Sequence, residues 1–248
     1  MNRKRHDNVS FPSGETLASS TYARLRRDII EGALVPGSKL RMRQLCERYD
    51  VGLSPLREAL NRLLRDGLVQ QTDLRGFVAA PLSDSELDEL TKTRCWLNEL
   101  ALRQSIEHGD SAWEEQVVLT YHRLSRTQLW VPVENSAERG VNPAWEIAHR
   151  AFHTSLISAC GSSWLSGFCE QLFDVADRYR NLSRSPAVRR ERQSDEHRPI
   201  MEATIARDAE HAVQLLTQHF RRTAEFGHRA LKAVDVANPR QKAVNEAQ

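Results

Sequence analysis

The chain has 248 residues and no apolar run approaching the ~20 residues that cross a bilayer. Its basic start, Met1-Asn2-Arg3-Lys4-Arg5, leads into no apolar stretch and so does not read as a secretory signal. These two absences point to a cytoplasmic protein with no membrane partner. Cysteine is scarce: Cys46, Cys95, Cys160 and Cys169 form no C-x-x-C pair, which argues against a disulfide framework and a thiolate zinc site. The simplest reading of the four is as small buried hydrophobes. No H-E-x-x-H spacing occurs, and no strand-like alternation follows residue 80.

Hydrophobic residues make up 40% of the chain and charged residues 27%, enough for real cores, and the length suits two modest domains. The net charge of +2 conceals an asymmetry. Residues 1–80 carry 14 Lys/Arg against 9 Asp/Glu, and the remainder carries 21 against 24. A basic head on an acidic body suits one domain that meets phosphate and one that does not.

Residues 1–15 are polar and read as a flexible arm. A helix is expected from Ser20, capped by Ser19 or Ser20, with Tyr22, Leu25, Ile29 and Ile30 on one face. Gly32 ends it, and Pro36-Gly37 marks a turn. Two short helices follow, over 43–49 and 54–66. Ser54 is expected to cap the second, with Pro55 in its first turn. Two short strands around 72–75 then form a hairpin. Beyond Pro81 every pattern is helical: about 84–107, 112–129, 143–160, 163–182, 186–206 and 208–234. The fold class is therefore mainly α, with a small β-hairpin near residue 75 and an all-α bundle after it.

The helices over 43–49 and 54–66, joined by a short turn, have the lengths of a helix-turn-helix. Ser54, Arg57 and Asn61 lie off the apolar stripe of the second helix. Arg57 can donate two hydrogen bonds to guanine, and Ser54 at a helix N-terminus suits a phosphate. Gly76 lets backbone approach the minor groove, with Arg75 beside it. Each of these residues taken singly is equally readable as a solvated helix face; the ordered set points to double-stranded DNA.

The stretch 22–80 resembles the winged helix of GntR-type regulators. The resemblance rests on Leu34-x-Pro36-Gly37-x-x-Leu40, Ser54-Pro55-Leu56-Arg57-Glu58-Ala59-Leu60, Asp66-Gly67-Leu68-Val69 and Arg75-Gly76-Phe77-Val78. It implies that Arg43 and Arg57 contact an operator. Many relatives carry Arg where this chain has Leu53, so an operator sequence does not transfer.

In the second region, His149 and His153 are four apart on one helix face, while His197 and His219 come from two other helices. Imidazoles converging in a bundle make a site for a divalent ion, zinc or nickel foremost. Scattered histidines are equally consistent with ordinary core or surface groups. Residues 84–234 resemble the FCD effector domain of the FadR branch, through Arg94-x-x-Leu97-Asn98-x-x-Ala101, His149-x-x-Phe152-His153-x-x-Leu156 and Glu196-His197-x-x-Ile200, with His219 beyond. The resemblance implies that His153, His197 and His219 hold a metal. An Asp or Asn usually stands where this chain has His149, which either completes the metal site or faces the effector. Arg94 takes the recurrent arginine position, and Arg178, Tyr179 and Arg180 on a later helix are further candidates to clamp a carboxylate. Local similarity to a branch repressing glutarate and 4-aminobutyrate catabolism implies glutarate or 2-hydroxyglutarate as effector.

The expected organisation is an arm over 1–15, a winged helix-turn-helix over 16–81, an FCD-type domain over 82–237 and a tail over 238–248. The expected function is a homodimeric, non-enzymatic repressor released from its operator by a small carboxylate. Two alternatives stay open. One is a regulator for which the metal itself is the signal. The other is a metal-dependent hydrolase with a DNA-binding head, using Glu146 or Glu196 as base.

Overall fold

Thr16, extended in backbone, accepts a hydrogen bond from the Ser19 amide and starts helix α1 (Leu17–Ile30). The expected cap at Ser19 or Ser20 is thus displaced by one turn, because a threonine upstream satisfies the first free N–H groups. This computed structural model describes residues 16–72, 76–132, 139–183 and 196–237. The arm over 1–15, the turn residues 73–75 and the tail over 238–248 lie outside the described residues. The chain divides into two units, Met1–Pro81 and Leu82–Gln248.

In the first unit, α1 buries Leu25 and Ile29 against helix α3 (Leu53–Arg65), whose stripe of Leu56, Ala59, Leu60 and Leu63 is fully buried. The Tyr22 hydroxyl donates to Asp66 at 2.7 Å and ties the start of α1 to the end of α3. Between them, α2 (Met42–Tyr49) ends at Asp50 in the left-handed region, a conformation a short polar side chain tolerates. Gly52, not Ser54, is the residue before α3, and no side chain caps it. Pro55 sits third in the helix, still within the first turn where no intrahelical acceptor waits for an N–H. Strands β2 (Val69–Gln71) and β3 (Phe77–Ala79) pair antiparallel as expected. A third strand, β1 (Lys39–Leu40), adds to β3 in the order β1-β3-β2, with Leu40 opposite Phe77. Two residues cannot display an alternation, so this strand is silent in the sequence.

The second unit contains α4 (Asp84–His108), α5 (Ser111–Arg126), α6 (Pro143–Leu156), α7 (Ser163–Ser183), α8 (His197–Ile205) and α9 (Ala209–Ala237). Ser83, Asp110 and Asn142 cap α4, α5 and α6 through their side-chain oxygens. Strands β4 (Trp130–Pro132) and β5 (Arg139–Val141) form a hairpin between α5 and α6. This corrects the all-α expectation for the unit; again, three-residue strands are too short for a period-2 signal. Helices α4, α7 and α9 pack together, and Gly227 allows it: a Cβ there would meet the Leu87 side chain at 2.8 Å. The core between α4, α5, α6, α8 and α9 holds Leu102, Val117, Phe152, Leu156, Ile200 and Leu216. No helix among the described residues is long and apolar enough to cross a membrane.

Candidate metal centre and nucleic-acid interface

The polar face of α3 is open. Ser54, Arg57 and Asn61 are exposed, as is Arg43 on α2. Arg43 pairs with Glu47 one turn on, at 3.3 Å, but both side chains are largely in water, so the pair contributes little and yields readily to a phosphate. Leu53, at the head of α3, is 55% exposed and gives that end of the face an apolar contact in place of a charge. Arg62 is not available in the same way: its guanidinium lies over the Tyr22 ring at 4.1 Å and donates to Ser19. Gly76 precedes β3 and accepts the Thr72 amide at 3.0 Å; a Cβ would press on the Thr72 hydroxyl at 3.1 Å. Arg75 lies outside the described residues. Behind the face, the carboxylate of Asp28 accepts from Arg48 at 2.7 Å and from the buried Tyr49 hydroxyl at 2.6 Å, bracing α2 on α1.

The second unit brings four imidazoles together. His149 and His153 from α6, His197 from α8 and His219 from α9 each offer a nitrogen, and these atoms all lie within 4.8 Å of one another. The Nε2 atoms of His149 and His153 are 3.2 Å apart. Two nitrogens each about 2.1 Å from one ion stand roughly 3–3.4 Å apart, so the pair is spaced as shared coordination requires. Burial is the main reason that His149 and His153 are held neutral, well below the usual histidine range. The Arg180 guanidinium pushes His149 further in that direction, and His219 and His197 do the same for His153. His219 is also lowered by burial, opposed by Glu196. Neutral imidazole is the ligating form, so the donor set fits a divalent ion.

Neighbouring groups orient the ligands. Glu196 Oε2 lies 2.9 Å from His219 Nδ1, which as the protonated nitrogen donates to it and turns Nε2 toward the cluster. The same carboxylate pairs with Arg222 at 2.5 Å. Trp145 stacks on His149 with ring centroids 4.5 Å apart, and Phe173 and Phe220 pack beside His153. His149 Nδ1 is buried with no hydrogen-bond partner among the described residues.

Of the arginines that the sequence singles out, two reach this cluster. Arg94 is buried, with its guanidinium 4.1 Å over the Phe220 ring and its Nε without a hydrogen-bond partner among the described residues. Burial first, and Arg180 second, push its pKa down to about 10, opposed by the charge of Asp177. Arg180 is buried too, but it is paired with Asp177 and lies 3.2 Å from Glu146. Asp177 in turn accepts from Arg150 at 3.1 Å. Tyr179 and Arg178 face elsewhere. The Tyr179 hydroxyl donates to Glu86 and accepts the Ser83 amide at 3.2 Å, while Glu86 is the main charge favouring a protonated Arg178. Glu86 lies two turns before Arg94, about 12 Å along α4. Consecutive helical residues point about 100° apart, so Arg178, Tyr179 and Arg180 do not share one direction.

The profile of "Bacterial regulatory proteins, gntR family" matches residues 17–78, and that of the "FCD domain" matches residues 89–222. The sequence is 39% identical over 213 residues to the HTH-type transcriptional regulator BphR of Paraburkholderia xenovorans, covering 85% of each chain. The chain belongs to the GntR family and carries an FCD domain. It is also 34% identical over 202 residues to the HTH-type transcriptional repressor GlaR of Escherichia coli, covering 80% of this chain and 90% of that one. Among solved structures, E. coli McbR/YncC superposes with a TM-score of 0.67 at 18% identity, covering 87% of this chain and 98% of the other. A GntR regulator from Rhodococcus sp. RHA1 gives 0.63 at 21% identity, with the same coverages. These two likenesses speak for the fold. The GntR relatives are transcription regulators and not enzymes, and this protein is a DNA-binding regulator with an FCD effector domain.

For this GntR protein, sequence reasoning passed over Trp145, Phe173, Phe220 and Asp177. The first is four residues before His149, the third adjoins His219, and the last is three before Arg180. Helical spacing from a singled-out residue is a signal that finds Trp145 and Asp177, whereas Phe173 and Phe220 carry no such signal. Glu146 and Glu196, the candidate hydrolytic bases, are engaged by Arg180 and by His219 with Arg222.

Proposed function

We propose that the protein is a repressor released from its operator by a small carboxylate bound beside a divalent metal ion. The observation that carries this reading is the buried guanidinium of Arg94, its Nε without a hydrogen-bond partner among the described residues, next to a cluster of four imidazoles. A buried cation that shares its acid, Asp177, with two other arginines is costly to keep, and an anionic ligand lowers that cost. His149, His153, His197 and His219 would hold zinc or nickel, and the ion would supply a Lewis-acidic position for a carboxylate oxygen. Arg94 clamps the anion directly, and Arg180 adds positive potential while held by Asp177 and Glu146. A C5 diacid, glutarate or 2-hydroxyglutarate, is the effector favoured by sequence likeness, and the similarity to the repressor GlaR supports the sign of regulation.

At the other end of the chain, Arg57 and Asn61 read base edges in a major groove, while Arg43, Ser54 and the segment of Arg75 and Gly76 meet phosphates and the minor groove. Two copies on a two-fold operator complete the assembly. The functional division falls near residue 81, with the operator-reading domain before it and the effector domain after it. The effector acts only through its different affinity for the DNA-competent and released states.

The test is a thermal-shift screen of metal-loaded protein against C2 to C6 mono- and dicarboxylates, followed by gel shift on the operator. A selective rise in melting temperature with a C5 diacid, lost in Arg94→Ala, is expected. A response of DNA binding to metal alone, with no acid raising the melting temperature, would transfer the function to metal sensing.

A further inference from the structure

The four-histidine cluster has a property that its charges dictate. All four donors are imidazoles, a ligand type that brings no negative charge, and no carboxylate belongs to the group. The neighbouring acids are already committed: Glu196 to His219 and Arg222, Glu146 to Arg180, and Asp177 to Arg180 and Arg150. Arg94 lies over Phe220 with its Nε unpartnered among the described residues; the Asp177 charge that favours it is shared with Arg180 and Arg150, and the Arg94 charge acts on His153 and His219. A divalent ion entering this cluster therefore adds its charge to that of Arg94 in a buried setting, with no carboxylate among the ligands and the nearby acids shared with other cations.

We propose that metal and anion bind this site cooperatively, so that the ion is held tightly when a carboxylate fills its remaining position and weakly when none is present. This rests on the carboxylate reading above, and it deepens it: the regulator responds to the coincidence of ion and acid. A buried anion is attracted to the ion and to Arg94 at once, and linkage requires the gain to be mutual. The factor by which acid tightens the metal equals the factor by which metal tightens the acid. His149 is the residue that creates the dependence, since a carboxylate there would satisfy the ion internally.

The experiment uses the full-length chain stripped of metal. Zinc perchlorate is titrated against a chromophoric chelator at constant ionic strength, with and without millimolar sodium glutarate. The apparent Kd for zinc is expected to fall by about 10- to 100-fold when the acid is present, and calorimetry of glutarate on loaded and stripped protein should return the same factor. Two variants test the charge argument without any effector. In acid-free buffer, Arg94→Met removes the competing cation and His149→Asp adds an internal anion, so each should tighten zinc relative to the parent, and each should shrink the effect of glutarate. Circular dichroism melts establish that both variants are folded. Equal zinc affinity with and without acid, while glutarate still raises the melting temperature of loaded and stripped protein alike, overturns the coupling but leaves the carboxylate reading standing. Zinc affinity unmoved by either variant, with no carboxylate binding at all, overturns both.

Discussion

The two units place their polar residues in opposite settings. On α3, Ser54, Arg57 and Asn61 stand in water on the face opposite a leucine stripe. In the second unit, His149, His153, His219, Arg94 and Arg180 are buried among Phe152, Phe173 and Phe220. A surface that meets DNA can keep its charges hydrated until contact. A site that holds a small ligand must remove the ligand from water, and its polar groups are desolvated beforehand. The first arrangement costs the fold little, whereas the second takes polar groups out of water at a cost to the stability of the unit.

That contrast makes ranked predictions. The largest effect is expected from removing metal with a chelator. Loss of an ion present at ~1,000 times its Kd withdraws roughly 4 kcal/mol from the folded state, read as a drop in the melting temperature of the second unit. The stripped protein should also lose stability in acid. His149, His153 and His219 are held below the ordinary histidine range when folded, chiefly by burial, so the unfolded chain takes up protons that the native cluster refuses. Their contribution is complete above about pH 6.5 and declines as pH falls below it; a stability curve flat from pH 7 to 5 would contradict the buried neutral cluster.

Next comes Arg57→Ala, expected to cost about 1–3 kcal/mol of specific operator binding with the melting temperature unchanged. A fall in stability instead of affinity would break the distinction between a solvated reading face and a buried site. His153→Ala sharpens the same comparison from the other side: metal content by elemental analysis should drop, while the acid-free variant still retards operator DNA. The smallest effect is expected for Arg43→Ala, a uniform loss of affinity on all sequences with the salt slope reduced by about one.

The comparison also explains what was readable beforehand. The leucine stripe of α3, the Pro36-Gly37 turn and the β2–β3 pairing follow from local patterns, and they appear where the sequence puts them. The cap of α1 at Thr16, the start of α3 after Gly52, and the strands β1, β4 and β5 do not, because each depends on one or two residues whose partners lie outside any local window. Among candidate site residues, spacing placed His149 beside His153, but convergence with His197 and His219 needed three helices to pack.

The sequence by itself determined that a basic helix-turn-helix precedes a helical body rich in histidine, because helix periodicity, Gly and Pro punctuation and net charge are local properties of the chain. Tertiary structure alone decided which of the consecutive Arg178, Tyr179 and Arg180 meets the histidines. Neighbours on a helix diverge by about 100°, so one faces the cluster and another reaches Glu86 at the start of α4. It also decided that Arg94 keeps a buried Nε without a hydrogen-bond partner among the described residues, while Asp177, the acid whose charge acts on it, is paired with Arg180 and Arg150, a matter of packing that no spacing encodes.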